Sequence, residues 1–245
     1  MNDLLRHFQE NRGGLIHKWS HYFEVYDRHF ARFRDRRPVL LEFGVSHGGS
    51  LQMWKAYFGE QAVIYGVDIN PACKALEEER IHIRIGDQGD RRFLQELRNE
   101  LPPVDILIDD GGHTMEQQIA TFEVFFPHVA PDGLYVCEDL HTSYRPKFGG
   151  GVRRRGTFIE YAKSLIDALH GWHSRQPRRL SVTEFTKTAF ALHFYDSMLV
   201  IEKRPREEPT HVRSGNPRIA PFRVPPRRPL FGRLADRWVK FTGRL

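Results

Sequence analysis

The sequence predicts an α/β fold, a doubly wound, mostly parallel seven-stranded sheet that ends in an antiparallel hairpin. Three observations predict it. Short apolar runs alternate with helix-like stretches over residues 39–203. The runs are apolar almost throughout, as strands covered on both faces must be. The last two strand-like segments, 180–185 and 190–202, follow one another without a helical pattern between them, which is a hairpin signature.

The elements follow in order. Residues 39–43 (VLLEF) form a first strand closed by Gly44, and a helical pattern covers 50–58. Residues 63–67 make a second strand ending at Asp68. The third, 81–85 (IHIRI), alternates with period two. Residues 91–100 read as a helix stopped by Pro102-Pro103. Residues 104–108 form a fourth strand that runs into two aspartates, and 115–126 are helical. The turn Pro131-Asp132-Gly133 introduces a fifth strand, 134–136, followed by Glu138-Asp139; 157–169 form a helix. Five strand–helix units and a hairpin give seven strands, one of them antiparallel to the rest.

Composition narrows the class. The chain has 245 residues, 37 Lys/Arg and 31 Asp/Glu, a net charge of +6. That length allows one large or two small domains. Cys73 and Cys137 are too few for a disulfide framework and lack metal-ligand spacing. No run of 18 apolar residues appears. The opening MNDLLRHFQENRGG has no apolar signal segment, so a cytoplasmic location is expected.

The positive charge suggests a nucleic-acid partner until its position is read. Residues 204–245 hold eleven Lys/Arg, three Asp/Glu and seven prolines, a net of +8. The remainder is slightly acidic, at −2. Three regions follow: an N-terminal segment 1–38 with an aromatic helical stretch, a body 39–203, and a basic tail 204–245. The tail reads as an extended linker over 204–228. It then places Leu230, Leu234, Trp238 and Phe241 at helical spacing between Arg233, Arg237, Lys240 and Arg244. Such a helix over 230–245 suits an anionic membrane surface or a partner groove, or packs back on its own domain. No nucleic-acid partner is expected, because no reader motif is present and the body is acidic.

Open parallel sheets bind ligands beyond the carboxyl ends of their strands. Every one of the five ends is acidic here: Glu42, Asp68, Asp87, Asp109/Asp110 and Glu138/Asp139. The first turn, EFGVSHGGS, offers Gly44, Gly49 and Ser50 where a backbone approaches a ligand at a helix N-terminus. It is neither a dinucleotide fingerprint nor a phosphate loop. Asp68 reads as a ribose acceptor or a helix cap. Asp87 and Gln88 reach an adenine edge or simply form a turn. An adenosine across three strands, with no pyrophosphate design, favours S-adenosylmethionine over a nicotinamide cofactor, with Glu42 near its methionine end. Asp109, Asp110, Glu138 and Asp139 sit on neighbouring strands. Converging carboxylates repel unless a cation lies among them. Oxygen donors favour Mg²⁺, or Mn²⁺ or Ca²⁺.

The segments LLEFGVSHGGSLQMWKAYF, YGVDIN, GDQGD, DILIDDGGH and FFPHVAPDGLYVCEDLHTSY resemble the class I S-adenosylmethionine-dependent methyltransferases. More narrowly they resemble the metal-dependent sugar O-methyltransferases of macrolide and rhamnoside biosynthesis. The likeness runs from about 17 to 150. It implies a Rossmann-like fold and methylation of a hydroxyl in a sugar, glycolipid or natural product. It implies Asp110, Glu138 and Asp139 as metal ligands and His113 as general base. A sugar hydroxyl needs both aids, and histidine titrates near neutrality. It places residues 18–26 near the entrance of the site and reads 141–151 as a glycine-hinged closing loop. The acceptor is then a small molecule or glycoside; related enzymes often assemble, which leaves a homo-oligomer open. One departure stands out: Gly112 occupies a position where that family has serine. Two alternatives stay open, a metal-independent small-molecule methyltransferase and a non-catalytic S-adenosylmethionine-binding module recruited through the tail.

Overall fold

Side chains alternate across a strand, so a run apolar at every position buries two faces at once. In β1 (Val39–Phe43), Leu40 faces one layer and Leu41 and Phe43 the other. The same division recurs in β2 (Val63–Asp68), β3 (Ile81–Ile85), β4 (Val104–Asp109) and β5 (Val129–Cys137). These five are parallel, and β6 (Ala189–Tyr195) and β7 (Met198–Lys203) complete the sheet in the order β3-β2-β1-β4-β5-β7-β6. Strand β7 pairs antiparallel with both β5 and β6, so it alone runs against the others, as the sequence predicts.

The computed structural model describes residues 2–222. It divides into a unit Met1–Pro209 and a unit Thr210–Leu245. In the first, α1 (Asp3–Glu10), α2 (Tyr22–Phe30) and α3 (Gly49–Phe58) cover one face through Leu4, Tyr26, Phe30, Trp54 and Phe58. Helices α4 (Arg91–Glu100), α5 (Met115–Phe125) and α6 (Phe158–Leu169) cover the other through Leu94, Leu97, Phe122, Phe125 and Phe158. Strand order reverses between β2-β1 and β4-β5, which puts the binding crevice beyond β1 and β4.

Three elements differ from the sequence reading. Residues 180–185 form no strand. Val182 is exposed, and Thr183 caps a short helix, α7 (Glu184–Thr188), with a capping box to Thr186. The hairpin is therefore β6–β7, turning at Ser197, whose φ is 61°. The β2–β3 connection is a 3₁₀ segment, Pro71–Leu76, capped by Asn70, rather than an α-helix. Strand β5 begins at Val129, and Pro131-Asp132-Gly133 forms an irregularity inside it, where pairing jumps from Val129 to Leu134.

On the outer edge, α2 meets β6 and β7 through His29. It is 7% exposed, its Nε2 lies 2.9 Å from the Tyr195 hydroxyl, and its ring is 4.8 Å from that of His193. Burial, then His193, pushes the His29 imidazole down to about 4, against the opposing pull of Glu202. Arg28 and Arg32 push the same way. The folded value lies below that of an unfolded histidine, about 6.5. The stabilisation is therefore complete above about pH 6.5 and drains away as pH falls towards 4. His29→Gln is expected to flatten that acid slope of the thermal midpoint. An unchanged slope between pH 7 and pH 4.5 would refute the assignment.

The backbone N–H groups of Arg204 and Arg206 donate to Thr188 and Lys187 at 2.6 and 2.7 Å, so the start of the basic tail is still tied to the first unit. Residues 210–222 contain no helix or strand and are exposed. The amphipathic helix expected over 230–245, and with it the membrane contact, falls outside the described residues. Among the described residues no helix is long and apolar enough to cross a membrane.

Candidate active site

A cleft of about 380 Å³ lies beyond the switch point. Its walls are residues 15–18, the β1 turn 43–46, Ser50, 67–69 after β2, 86–88 after β3, 110–113 after β4, Gln117 and Asp139. The volume lies in the range of small-molecule sites.

The β1 turn is shaped by its neighbours. Asp68 Oδ2 accepts the N–H groups of Val45 and Ser46 at 3.0 and 2.9 Å, and Oδ1 accepts that of Asn70 at 2.9 Å. Gly44 has φ 98°, and a Cβ there would stand 2.0 Å from the Asp110 carbonyl oxygen. Only glycine lets the ends of β1 and β4 approach so closely. Gly49 serves a different approach from the one the sequence suggests. A Cβ on it would lie 2.3 Å from the Gly14 carbonyl oxygen, so it admits the N-terminal segment and does not wall the cleft.

Three other expected cofactor contacts are turned inward. Glu42 is fully buried behind the wall, accepting from Ser50 Oγ at 2.8 Å and Trp54 Nε1 at 3.1 Å. Asp109 is also fully buried, and burial pushes its carboxyl up to about 6. The Gln88 amide donates to Asp109 Oδ1 at 2.6 Å and to Thr121 Oγ1 at 2.9 Å, and accepts the Gly112 N–H at 3.0 Å. Its polar atoms tie β3 to the β4 loop, although the residue still lines the cleft. Asp87 stays exposed on the rim and closes a turn to Gly89.

The carboxylates beyond β4 and β5 do converge, and a cation lies among them. It is the Lys18 ammonium, 2.6 Å from Asp110 Oδ2, 3.0 and 3.1 Å from the two oxygens of Glu138, and 3.3 Å from Glu42 Oε1. Burial alone would lower its pKa, but Asp110 and Glu138 outweigh that and hold it well above the usual lysine value. Glu138 is fully buried and also accepts from Tyr26 at 2.5 Å. Burial, then Asp110, raises its carboxyl. Trp19 Nε1 and the Tyr22 hydroxyl lie 3.2 and 2.9 Å from Asp139 Oδ1.

These contacts sort the oxygens. Asp110 Oδ1 and Asp139 Oδ2 are turned towards His113 Nε2, at 3.7 and 3.6 Å. Asp110, His113 and Asp139 each offer one ligand atom, all within 4.8 Å of one another. Glu138, expected in that group, is turned to Lys18 instead. Three carboxylates, Glu42, Asp110 and Glu138, face one ammonium and Asp139 stands beside Asp110 across His113, so the cluster carries more acidic groups than Lys18 pairs and has room for a divalent ion. The carboxylate oxygens thus fit a hard cation, with the His113 Nε2 at its edge where a base can take a proton. His113 and Asp139 both have left-handed backbones, φ 57° and 56°, and such strain concentrates at functional sites. His113 Nδ1 is buried without a partner among the described residues.

Gly112 is explained locally. A serine Cβ there would meet the Gln117 amide at 2.3 Å, and that amide completes the Thr114 capping box of α5. The 141–151 loop is tied down at Ser143 and Gly151. Ser143 is fully buried and bonds Met115 Sδ and the Ile159 N–H, and Gly151 N–H donates to Ser143 O at 2.8 Å. Tyr144 is 47% exposed and stands outside the cleft wall.

Lys18, Trp19, Tyr22 and Tyr26 are the residues that strand-end reasoning misses. The available signal was Tyr22 and Tyr26, four apart on a buried helical face, both carrying hydroxyls.

Residues 41–140 match a family model described as a methyltransferase domain. The chain carries a methyltransferase domain. Relatives extend the match on both sides of it. An 8-demethyl-8-α-L-rhamnosyl tetracenomycin-C 2′-O-methyltransferase of Streptomyces olivaceus is 39% identical over 82% of this chain and 53% of its own length. The mycinamicin VI 2″-O-methyltransferase of Micromonospora griseorubida is 35% identical over 85% and 53%. The solved structure of the methyltransferase MycE from the mycinamicin pathway, with Mg and SAH, has 35% identity and a TM-score of 0.73 over 83% of this chain and 54% of that one. Another holds Mg, SAH and mycinamicin VI. The chain spans about half the length of these relatives. The methyltransferase domain thus has the class I fold that the sequence motifs imply.

Proposed function

We propose that the chain methylates a hydroxyl of a sugar, in a glycoside or related natural product, with S-adenosylmethionine as donor and a divalent cation, Mg²⁺ first, as aid. The observation that carries the reading is the meeting of Asp110 Oδ1, His113 Nε2 and Asp139 Oδ2 at the wall of the same cleft that holds Asp68 and the β1 turn. The relatives' substrates and the Mg and SAH of MycE support it.

The β1 turn, held by Asp68, and the rim at Asp87 cradle the nucleoside. Asp68 retains lone pairs for ribose hydroxyls after its three backbone contacts. S-adenosylmethionine supplies an electrophilic methyl on a sulfonium. As the acceptor oxygen bonds that carbon, the carbon–sulfur bond breaks, sulfur keeps the electron pair, and His113 Nε2 takes the hydroxyl proton. Asp110 and Asp139, with Glu138 behind them, would hold a cation whose charge stabilises the oxygen as it loses that proton.

One observation favours a second reading. Lys18 already neutralises part of the cage, as a metal-independent methyltransferase would require. Labelled S-adenosylmethionine with glycoside and aglycone acceptors, with Mg²⁺ or with EDTA, separates the two. Label is expected on the glycoside with Mg²⁺ and absent with EDTA. Undiminished transfer in EDTA would establish the metal-free reading, and label on the aglycone alone would refute the sugar acceptor.

A further inference from the structure

Lys18 is the buried charge that the proposed reaction leaves without a task. It lies outside the parallel-strand machinery, on the segment ahead of α2, yet its side chain is 2% exposed among Glu42, Asp110 and Glu138. Its ammonium has three protons to donate, and the three carboxylates come from β1, the β4 loop and the end of β5. Breaking such a buried arrangement from the cationic side leaves uncompensated charge and is strongly destabilising.

We propose that Lys18 is a positioning residue that competes with the divalent cation for the carboxylate cage. The inference rests on the metal-assisted reading above. The ammonium holds Asp110 Oδ2 and both oxygens of Glu138, and so leaves Asp110 Oδ1 and Asp139 Oδ2 for an incoming ion. It keeps the cage folded without metal, at the expense of metal affinity. The Asp110 and Glu138 oxygens released from Lys18 become further donors for the ion, and affinity for hard cations rises with ligand charge.

The test is Lys18→Met, a chain of similar length without the charge, probed with Mn²⁺ in the absence of any acceptor. Mn²⁺ is expected to bind the variant about tenfold or more tightly than the wild type. In EDTA the variant's thermal midpoint is expected to fall, and Mn²⁺ is expected to raise it far more than it raises the wild type's. The double variant Lys18→Met/Glu138→Gln removes one buried anion together with the cation, and it is expected to recover part of the lost midpoint. A folded Lys18→Met protein with wild-type Mn²⁺ affinity and wild-type midpoints would overturn the proposal. So would additive effects of the two substitutions. Mn²⁺ failing to bind either protein would overturn both this inference and the metal-assisted reading. Mn²⁺ binding as expected, with no methyl transfer to glycoside or aglycone in the labelling assay, would sink the function reading alone.

Discussion

His113→Ala is expected to keep S-adenosylmethionine affinity while turnover falls by about 10²–10⁴-fold, the range usual for loss of a general base. The side chain stands at the wall of the cleft, and its Nε2 is the nitrogen turned towards Asp110 and Asp139. No part of it supports the β1 turn or Asp68, which hold the nucleoside side of the cleft. Removing it should therefore spare the donor site. The left-handed φ of 57° is a strain that alanine tolerates less well than histidine, so His113→Asn, a residue at ease in that region, is the companion variant. Calorimetric binding of the donor and steady-state turnover decide the matter together. Near-normal turnover in both variants would remove His113 from the chemistry. The same proteins separate two roles for the imidazole. If His113 only moves a proton, Mn²⁺ affinity survives its loss; if it is a ligand, Mn²⁺ affinity falls with turnover.

The acidic strand ends and glycine turns were legible because a parallel sheet forces chemistry to its carboxyl edge. Strand parity sets which layer each carboxylate meets. Asp109 continues the face of Leu107, so it packs inward with Tyr135 and Gln88, while Asp110 begins the loop and opens to the cleft. Glu42 shares the face of Leu40 and meets Ser50 and Trp54 of α3. Glu138 continues the face of Val136 and meets Tyr26 of α2. Parity gives only the layer, since Asp68 shares the face of Ile64 and still lines the cleft; the helix residues that cover Glu42 and Glu138 do the rest. Lys18 is a different case. Its partners lie 24, 92 and 120 positions away, and no local pattern encodes such a meeting. The segment 180–185 misled because Leu180 and Val182 alternate like the start of a strand, yet Thr183 caps a helix there, its side chain accepting the Thr186 N–H.

Asp139→Asn should weaken divalent-cation binding by more than about 10–100-fold, the loss expected from removing even a supporting partner of a metal ligand, and should abolish Mg²⁺-stimulated transfer. Asparagine is the informative replacement. Asp139 sits at φ 56°, ψ 39°, where asparagine is the other residue that settles readily. Its amide oxygen can still accept from Trp19 and Tyr22 in the place of Oδ1, so the tie to α2 and the loop before it survives. What changes is the group facing His113, where an anionic oxygen becomes a neutral amide nitrogen with no lone pair for a cation. Folding and donor affinity should therefore stay close to wild type while the cation is lost. Asp109→Asn supplies the contrast. That residue is buried against Gln88 and Tyr135, so its loss should lower the thermal midpoint and leave Mn²⁺ affinity in place. An Asp139→Asn protein that binds Mn²⁺ like wild type would take Asp139 out of the metal site and leave Lys18 as the cage's cation.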